Sequence, residues 1–156
     1  MTDASFEEGH EKPLNIGALD TGDLGVISAL CQDAIFPAAE MRWQPRARRF
    51  ALLLNRFRWE DTGRDRHGPE RVQSLLVFDN VLHVASQGIE RGSPDTIFSL
   101  LSIDWQPGPD ADGAVLLTLA GDGAIRLAAE ALEARLRDVT RPYRAPSHHT
   151  PHHPED

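Results

Sequence analysis

The stretch RRFALLLNRFRWED, Arg48 to Asp61, decides how the rest of the chain is read. It is the longest run with strand chemistry, aromatic and aliphatic residues without Gly or Pro. Its apolar residues alternate at Phe50, Leu52 and Leu54, and then the parity changes to Phe57 and Trp59. Side chains of a regular strand repeat with a period of 2, so Leu54 and Phe57 would face opposite sides. One extra residue at Asn55-Arg56, a β-bulge, brings all five to one face and sends Arg58 and Glu60 to the other. The alternative is a strand buried on both faces in its first half, with Ala51 and Leu53 filling the second side. The bulge is favoured.

Ahead of this strand, Ala39, Met41 and Trp43 alternate with Glu40 and Arg42, and QPRAR turns the chain back. Residues 35–44 and 49–60 are therefore expected to pair as an antiparallel hairpin. Earlier still, Leu24, Ile27, Leu30, Cys31 and Ala34 recur at helical spacing behind Asp20 and Thr21, both good N-caps. This spacing predicts a helix over 21–32, ended before Pro37.

Behind the central strand, DTGRDRHGPER has no apolar residue and reads as a loop. Val72–Phe78 and Val81–Ser86 have strand chemistry around an Asp79-Asn80 turn. Ile97, Ser99, Leu101, Ile103 and Trp105 share one parity, although SPD just before them can also open a helical turn. Val115, Leu117 and Leu119 lead through Gly121-Asp122-Gly123, a tight hairpin loop, to Ile125 and Leu127. EALEARLRDV then takes helical period, with Leu132, Leu136 and Val139 on one face and Glu133 and Arg137 at i,i+4.

These elements predict an α+β fold, mainly antiparallel: about seven strands forming a split barrel or strongly bent sheet between an N-terminal and a C-terminal helix. The element order is that of pleckstrin-homology-like barrels, an analogy that carries no function. The expected core contains Phe50, Leu52, Phe57, Trp59, Leu76, Phe78, Ile103, Leu117 and Leu127, with a helix over 130–139 packed on it. One domain is expected over 14–140. An acidic leader, 1–13, and a Pro- and His-rich tail, 141–156, are read as disordered.

The chain carries a net charge of −8 and a single cysteine, Cys31. One cysteine makes no internal disulfide, no basic-then-apolar segment opens the chain, and the apolar runs are far below the roughly 20 residues of a membrane span. A cytoplasmic protein is expected. Its charge is uneven: residues 1–40 carry eight acids and one lysine, residues 41–71 nine arginines and four acids, residues 72–156 twelve acids and six arginines. The acidic balance argues against DNA and anionic membranes, while the basic centre offers arginines to an acidic protein surface.

No GxSxG, Walker, HExxH, CxxC or GxGxxG motif is present. No cofactor or metal site is expected. The tail histidines His148, His149, His152 and His153 are spaced for adventitious chelation without a scaffold. Cys31 with His83 or His67 reads as a buried small hydrophobe before a thiol–imidazole pair. Two polar groups are candidates for a ligand or partner: Arg46, Arg48 and Arg49 at the hairpin turn, and Asn55, Arg56 and Glu60 beside the expected bulge. Arg58 and Asp33 lie close to the second group in the chain. An arginine beside a carboxylate suits ligand binding, acid–base chemistry or a cross-strand salt bridge, the last being preferred.

QDA at Gln32–Ala34, RRFALLLNRFRWE at Arg48–Glu60, LVFDNVLHVASQGI at Leu76–Ile89, SLLSI at Ser99–Ile103 and AIRLAAEALEARLRDV at Ala124–Val139 resemble a bacterial family catalogued as domain of unknown function 2948. The likeness covers about Leu14 to Val139, and NRFRWE is its most specific part. It implies a small cytosolic bacterial protein and transfers no activity. The function expected on these grounds is a non-catalytic binding or interaction module. The alternatives are a small enzyme using Arg56, Glu60 and Asp33, and, more weakly, RNA or anion binding through the arginine-rich hairpin.

Overall fold

The computed structural model describes residues 12–61, 70–89 and 93–144. Among them are one α-helix and eleven strands in a single open antiparallel sheet. In chain order these are β1 (Asn15–Ala18), α1 (Thr21–Leu30), β2 (Ile35–Pro37), β3 (Met41–Gln44), β4 (Arg49–Phe57), β5 (Glu70–Phe78), β6 (Val81–Gln87), β7 (Ile97–Pro107), β8 (Gly113–Leu119), β9 (Ala124–Ala129), β10 (Ala134–Asp138) and β11 (Tyr143–Arg144). The sheet order is β1-β10-β5-β4-β2-β7-β8-β9-β6, with β3 on β4 and β11 on β5. No described helix is long and apolar enough to cross a membrane.

The central strand β4 is regular. It pairs with β5 residue for residue from Phe50↔Phe78 to Phe57↔Arg71 without a shift. The expected bulge at Asn55-Arg56 is therefore absent, and strict alternation carries Phe50, Leu52, Leu54 and Arg56 to one buried face. Phe57 is buried on the opposite parity, edge-on to the half-buried Trp59 at 4.7 Å. The expected bulge would put Phe57 and Trp59 on the face of Leu54; regular pairing instead leaves Phe57 on the other face and places Arg56 inward.

A parity change does occur in β7, where the register shifts between Leu100 and Ser102. That bulge turns Leu100 and Ile103 inward together. Ile97 is left exposed and Leu101 half-buried, so the single expected face of this strand is broken.

The C-terminal helix expected over 130–139 is a strand. Ala134, Leu136 and Asp138 of β10 point inward while Arg135 and Arg137 point out. The segment fills a slot between β1 and β5, each of which supplies ladder partners, and this tertiary pairing overrides a helix propensity of only tenths of a kcal/mol per residue. Among the described residues, eleven strands rather than seven, a non-sequential order and no closing helix together remove the pleckstrin-like order. The hairpin expected over 35–44 and 49–60 survives as β3 with β4, while β2 pairs mainly with β7 and meets β4 only at Ile35↔Asn55. Asp79-Asn80 is a crossover between distant strands, since β5 pairs with β4 and β10 and β6 with β9.

The N-terminal helix forms as expected. The Asp20 side chain accepts the Asp23 N–H at 2.8 Å, and Leu24, Ile27 and Cys31 are buried. Inward side chains from both ends of the sheet, among them Leu52, Leu76, Ile103, Leu117 and Leu127, form one cluster with this helix, so the sheet bends around a common core. Of the expected core set only Trp59 is less than fully buried. Ordered structure continues past residue 140: Tyr143 and Arg144 pair with Arg71 and Glu70. The leader to residue 11 and the tail from 145 lie outside the described residues.

The strand reading of 134–138 makes a prediction that separates it from a helix. Leu136 is fully buried and Val139 is 46% exposed, although a helix would put both on one face. Leu136→Ala is expected to cost about 2–5 kcal/mol in urea unfolding, and Val139→Ala within about 0.5 kcal/mol of zero.

Candidate functional site

Three neighbouring strands each place a polar residue at or one step beyond the same level of the inner face. In β4 the sequence of inward residues is Phe50, Leu52, Leu54 and then Arg56; β10 runs Ala134, Leu136 and then Asp138; in β5, Ser74 follows Phe78 and Leu76. Register places Ser74 opposite Leu54 on one side and Asp138 on the other. A short polar layer is thereby set at the end of an otherwise apolar core.

Arg56 is its centre and is wholly buried. Its Nη1 and Nη2 donate to the two oxygens of Glu60 at 2.9 and 2.8 Å, a bidentate pair. Nη2 also donates to Asp138 Oδ1 at 3.0 Å, Nε to Ser74 Oγ at 2.9 Å, and Nη1 to the Phe57 carbonyl at 3.4 Å. These bonds engage all five guanidinium donors. The Ser74 hydroxyl in turn donates to Asp138 Oδ1 at 2.7 Å, and Asp138 Oδ2 accepts the Leu14 N–H at 2.9 Å.

The electrostatics follow from this enclosure. Burial lowers the Arg56 pKa, but its bonds to Glu60 and the charges of Glu60 and Asp138 outweigh that and leave it above its ordinary value. Burial raises Glu60, and the bond and charge of Arg56 bring it below the ordinary carboxylate range. Cys31, the C-cap of α1, is close enough to feel the same three charges, and burial above all pushes its thiol up to about 12. A thiol held neutral at physiological pH is a poor nucleophile.

The other polar candidates lie elsewhere. Asn55, on the opposite face of β4, donates to the Tyr143 hydroxyl at 2.6 Å and accepts from Arg71 at 3.2 Å. Asp33, in a left-handed conformation (φ 64°), contributes its charge to Arg71. Arg58 is buried and bonds Glu70. At the far end of β4, Arg48 pairs with Glu130 at 2.7 Å and Arg49 with Asp79 at 2.8 Å, both exposed, and Arg46 projects from the turn. The structure thus brings Arg56 and Glu60 together and separates them from Asn55 and from the three turn arginines. Among the described residues no cluster of three or more His, Cys, Asp and Glu is arranged to hold a metal; the tail histidines fall outside them.

Two surface grooves lie among the described residues near the polar candidates. One of about 670 Å³ runs over the outer face of β1, β10 and β5 and mixes Arg49, Arg135 and Arg137 with Asp23, Asp79 and Glu133. The other, about 390 Å³, is apolar and lies between β3 and β6, walled by Met41, Trp43, Val84 and Ile89 over a floor of Phe50 and Ile125.

The family described as "protein of unknown function (DUF2948)" matches residues 14–153 of the chain. The chain belongs to the DUF2948 family. No curated protein and no solved structure gives a significant match. The DUF2948 match continues beyond Val139, and so takes in β11.

Sequence reasoning reached Arg56 and Glu60 but missed Asp138 and Ser74, the other members of the layer. Their signal was available: each breaks an apolar alternation at one parity, as Arg56 does. The helix assigned to 130–139 concealed Asp138, because a helical period puts it on no strand face.

Removing the guanidinium leaves the buried Asp138 carboxylate without its cation and beside the partly exposed Glu60. Arg56→Met is expected to cost about 3–5 kcal/mol in urea unfolding. For pH, Glu60 is lowered by folding, so its contribution is complete above about pH 4.3 and lost as pH falls from there. The unfolding midpoint is expected to drop on that limb, and Glu60→Gln should flatten it. Cys31 is raised by folding, so its contribution holds below about pH 9 and fades toward 12. Cys31→Ala should remove that alkaline decline.

Proposed function

We propose that this DUF2948 protein is a non-catalytic binding module that receives a protein partner at the groove between β3 and β6, with the arginine-rich turn beside it. One contrast carries the reading. The charged cluster is closed, every donor of Arg56 being used inside the fold, whereas the apolar groove is open and lined by half-buried Met41, Trp43, Val84 and Ile89. Apolar side chains left at a surface concavity gain from being covered, at about 25 cal/mol per Å² removed from water.

The turn supports an acidic partner. Arg46 is exposed, and Arg48 and Glu130 form a pair with about half of each side chain in solvent. Such pairs are worth roughly 0–1 kcal/mol, so a partner carboxylate can replace the internal one at little cost. The net charge of −8 weighs against RNA as the partner. The enzyme alternative would need Arg56 or Glu60 to act on a substrate; Arg56 is fully enclosed, and both oxygens of the partly exposed Glu60 are engaged by it.

A photoreactive phenylalanine at position 86, in the groove, is expected to form adducts with a partner protein in cells, while one at position 104, an exposed position on β7 outside the groove lining, should not. Met41→Glu should abolish the adduct without changing overall secondary structure. Arg46→Ser with Arg48→Ser and Arg49→Ser should weaken it about tenfold and shift melting little. Equal adducts at both positions, or an adduct that survives Met41→Glu, would count against the reading.

A further inference from the structure

The groove lies between two strand edges. Among the described residues, β3 pairs with β4 alone, and β6, the last strand of the sheet, with β9 alone. Register shows that the groove side chains belong to the inner face: Trp43 stands opposite Phe50 and Met41 opposite Leu52, while Val84 stands opposite Leu127 and Ser86 opposite Ile125. The core therefore continues to both rims and stops at a gap between them. Within an edge strand, alternate residues turn N–H and C=O away from their single neighbour.

β6 is the more available edge. Its sequence, VLHVASQ, contains no Lys, Arg, Asp, Glu or Pro, and Leu82 is 51% exposed. Natural edges are usually short, charged or interrupted by proline. β1 has four residues, and β3 has four with an arginine among them. The one protective device in β6 is the bulge between Val81 and His83, which leaves His83–Gln87 regular.

We propose that this edge accepts an extended segment of a partner protein, which adds antiparallel to β6, drops alternate apolar side chains onto Phe50 and Ile125, and carries an acidic residue at its C-terminal end. The proposal rests on the binding-module reading above and names the form of the partner. The end that carries the acid follows from the fold. The Val81 N–H donates to the Arg48 carbonyl at 2.9 Å, so the start of β6 lies against the arginine turn. A segment running antiparallel to β6 ends there, beside Arg46, Arg48 and exposed His83. Glu40 and Asp95 lie toward the opposite end, beside the groove-lining Ala39 and Pro94, where an acid would be repelled. Few polar side chains line the groove, Ser86 and Ser93 among them, so the directional groups offered to an occupant are those of the backbone edge. Main-chain bonding with apolar pockets for alternate side chains is the chemistry of strand addition.

The test is selection of synthetic random decapeptides with amidated C-termini on the full-length protein, followed by amide exchange of the complex with an enriched peptide. Enrichment of alternating apolar residues before a terminal Asp or Glu is expected, with exchange of alternate amides in 83–87 slowed at least tenfold. Val84→Lys should weaken the peptide tenfold or more, and Asp→Asn in the peptide should weaken it several-fold. Four results overturn the proposal. An enriched peptide that perturbs Met41 and Trp43 but leaves β6 exchange unchanged refutes strand addition while the binding module stands. Enriched sequences without the acid refute the charge assignment. No enriched peptide, together with no photo-adduct at position 86, removes both readings. Protection of β6 that rises with protein concentration, with doubled mass in sedimentation, makes a second copy the occupant.

Discussion

A guanidinium with no access to solvent is the constraint around which this fold closes. Taking an arginine and its carboxylates out of water costs several kcal/mol per ion, and only complete partnering recovers it. Arg56 has that partnering, and its partners come from the whole length of the domain. Glu60 lies just beyond the central strand, Ser74 is on its neighbour, and Asp138 is on a strand near the far end of the chain. Asp138 also holds the Leu14 N–H, where the described core begins. The beginning, middle and end of the domain therefore meet at one cation, and none can leave without stranding a charge.

The layer also fixes register. A slip of one residue in β10 would turn Asp138 out and bring Arg137 or Val139 in, setting a second cation or no charge at all against Arg56. Apolar packing alone discriminates such slips weakly, because Leu, Val and Ala tolerate exchange within a core. The polar layer discriminates them strongly. This is a reason for an ion cluster to persist in a sheet that aliphatic residues could otherwise fill.

Much of this was legible in the sequence, and what was not has physical causes. The alternation of Phe50, Leu52 and Leu54 fixed the inner face of β4, and the helix from Thr21 was marked by its cap and its spacing. The error came at the parity change after Leu54. Assuming that all five apolar residues share one face required a bulge, whereas regular pairing with β5 buries Phe57 on the opposite face and carries Arg56 inward. The real bulge, in β7, had no such prompt, since SLLSI gives consecutive leucines that either parity accommodates. ARLRD satisfies both periods: a helix places Leu132 with Leu136, and a strand places Ala134 with Leu136 and Asp138. Only the slot between β1 and β5, built by residues more than fifty positions away, decides between them. The pairing of Arg48 with Glu130 and of Arg49 with Asp79 was likewise hidden, because each acid arrives through long-range topology.

The two ends of β4 divide the work of the domain. At its C-terminal end the buried charges of Arg56 and Asp138 are matched, with the partly exposed Glu60 completing the cluster. At its N-terminal end Arg48 takes a left-handed conformation (φ 53°) that a long side chain rarely adopts, and its carbonyl accepts the Val81 N–H. That bond ties the turn to the start of β6, so the exposed arginines lie beside the apolar groove. The extended-chain binding proposed above needs the edge, the apolar floor and the arginines in fixed relation, because an edge alone gives no sequence preference and a charge alone gives no register. The Val81–Arg48 bond contributes to that relation, while Arg56 at the other end of the same strand joins β4 to β5 and β10.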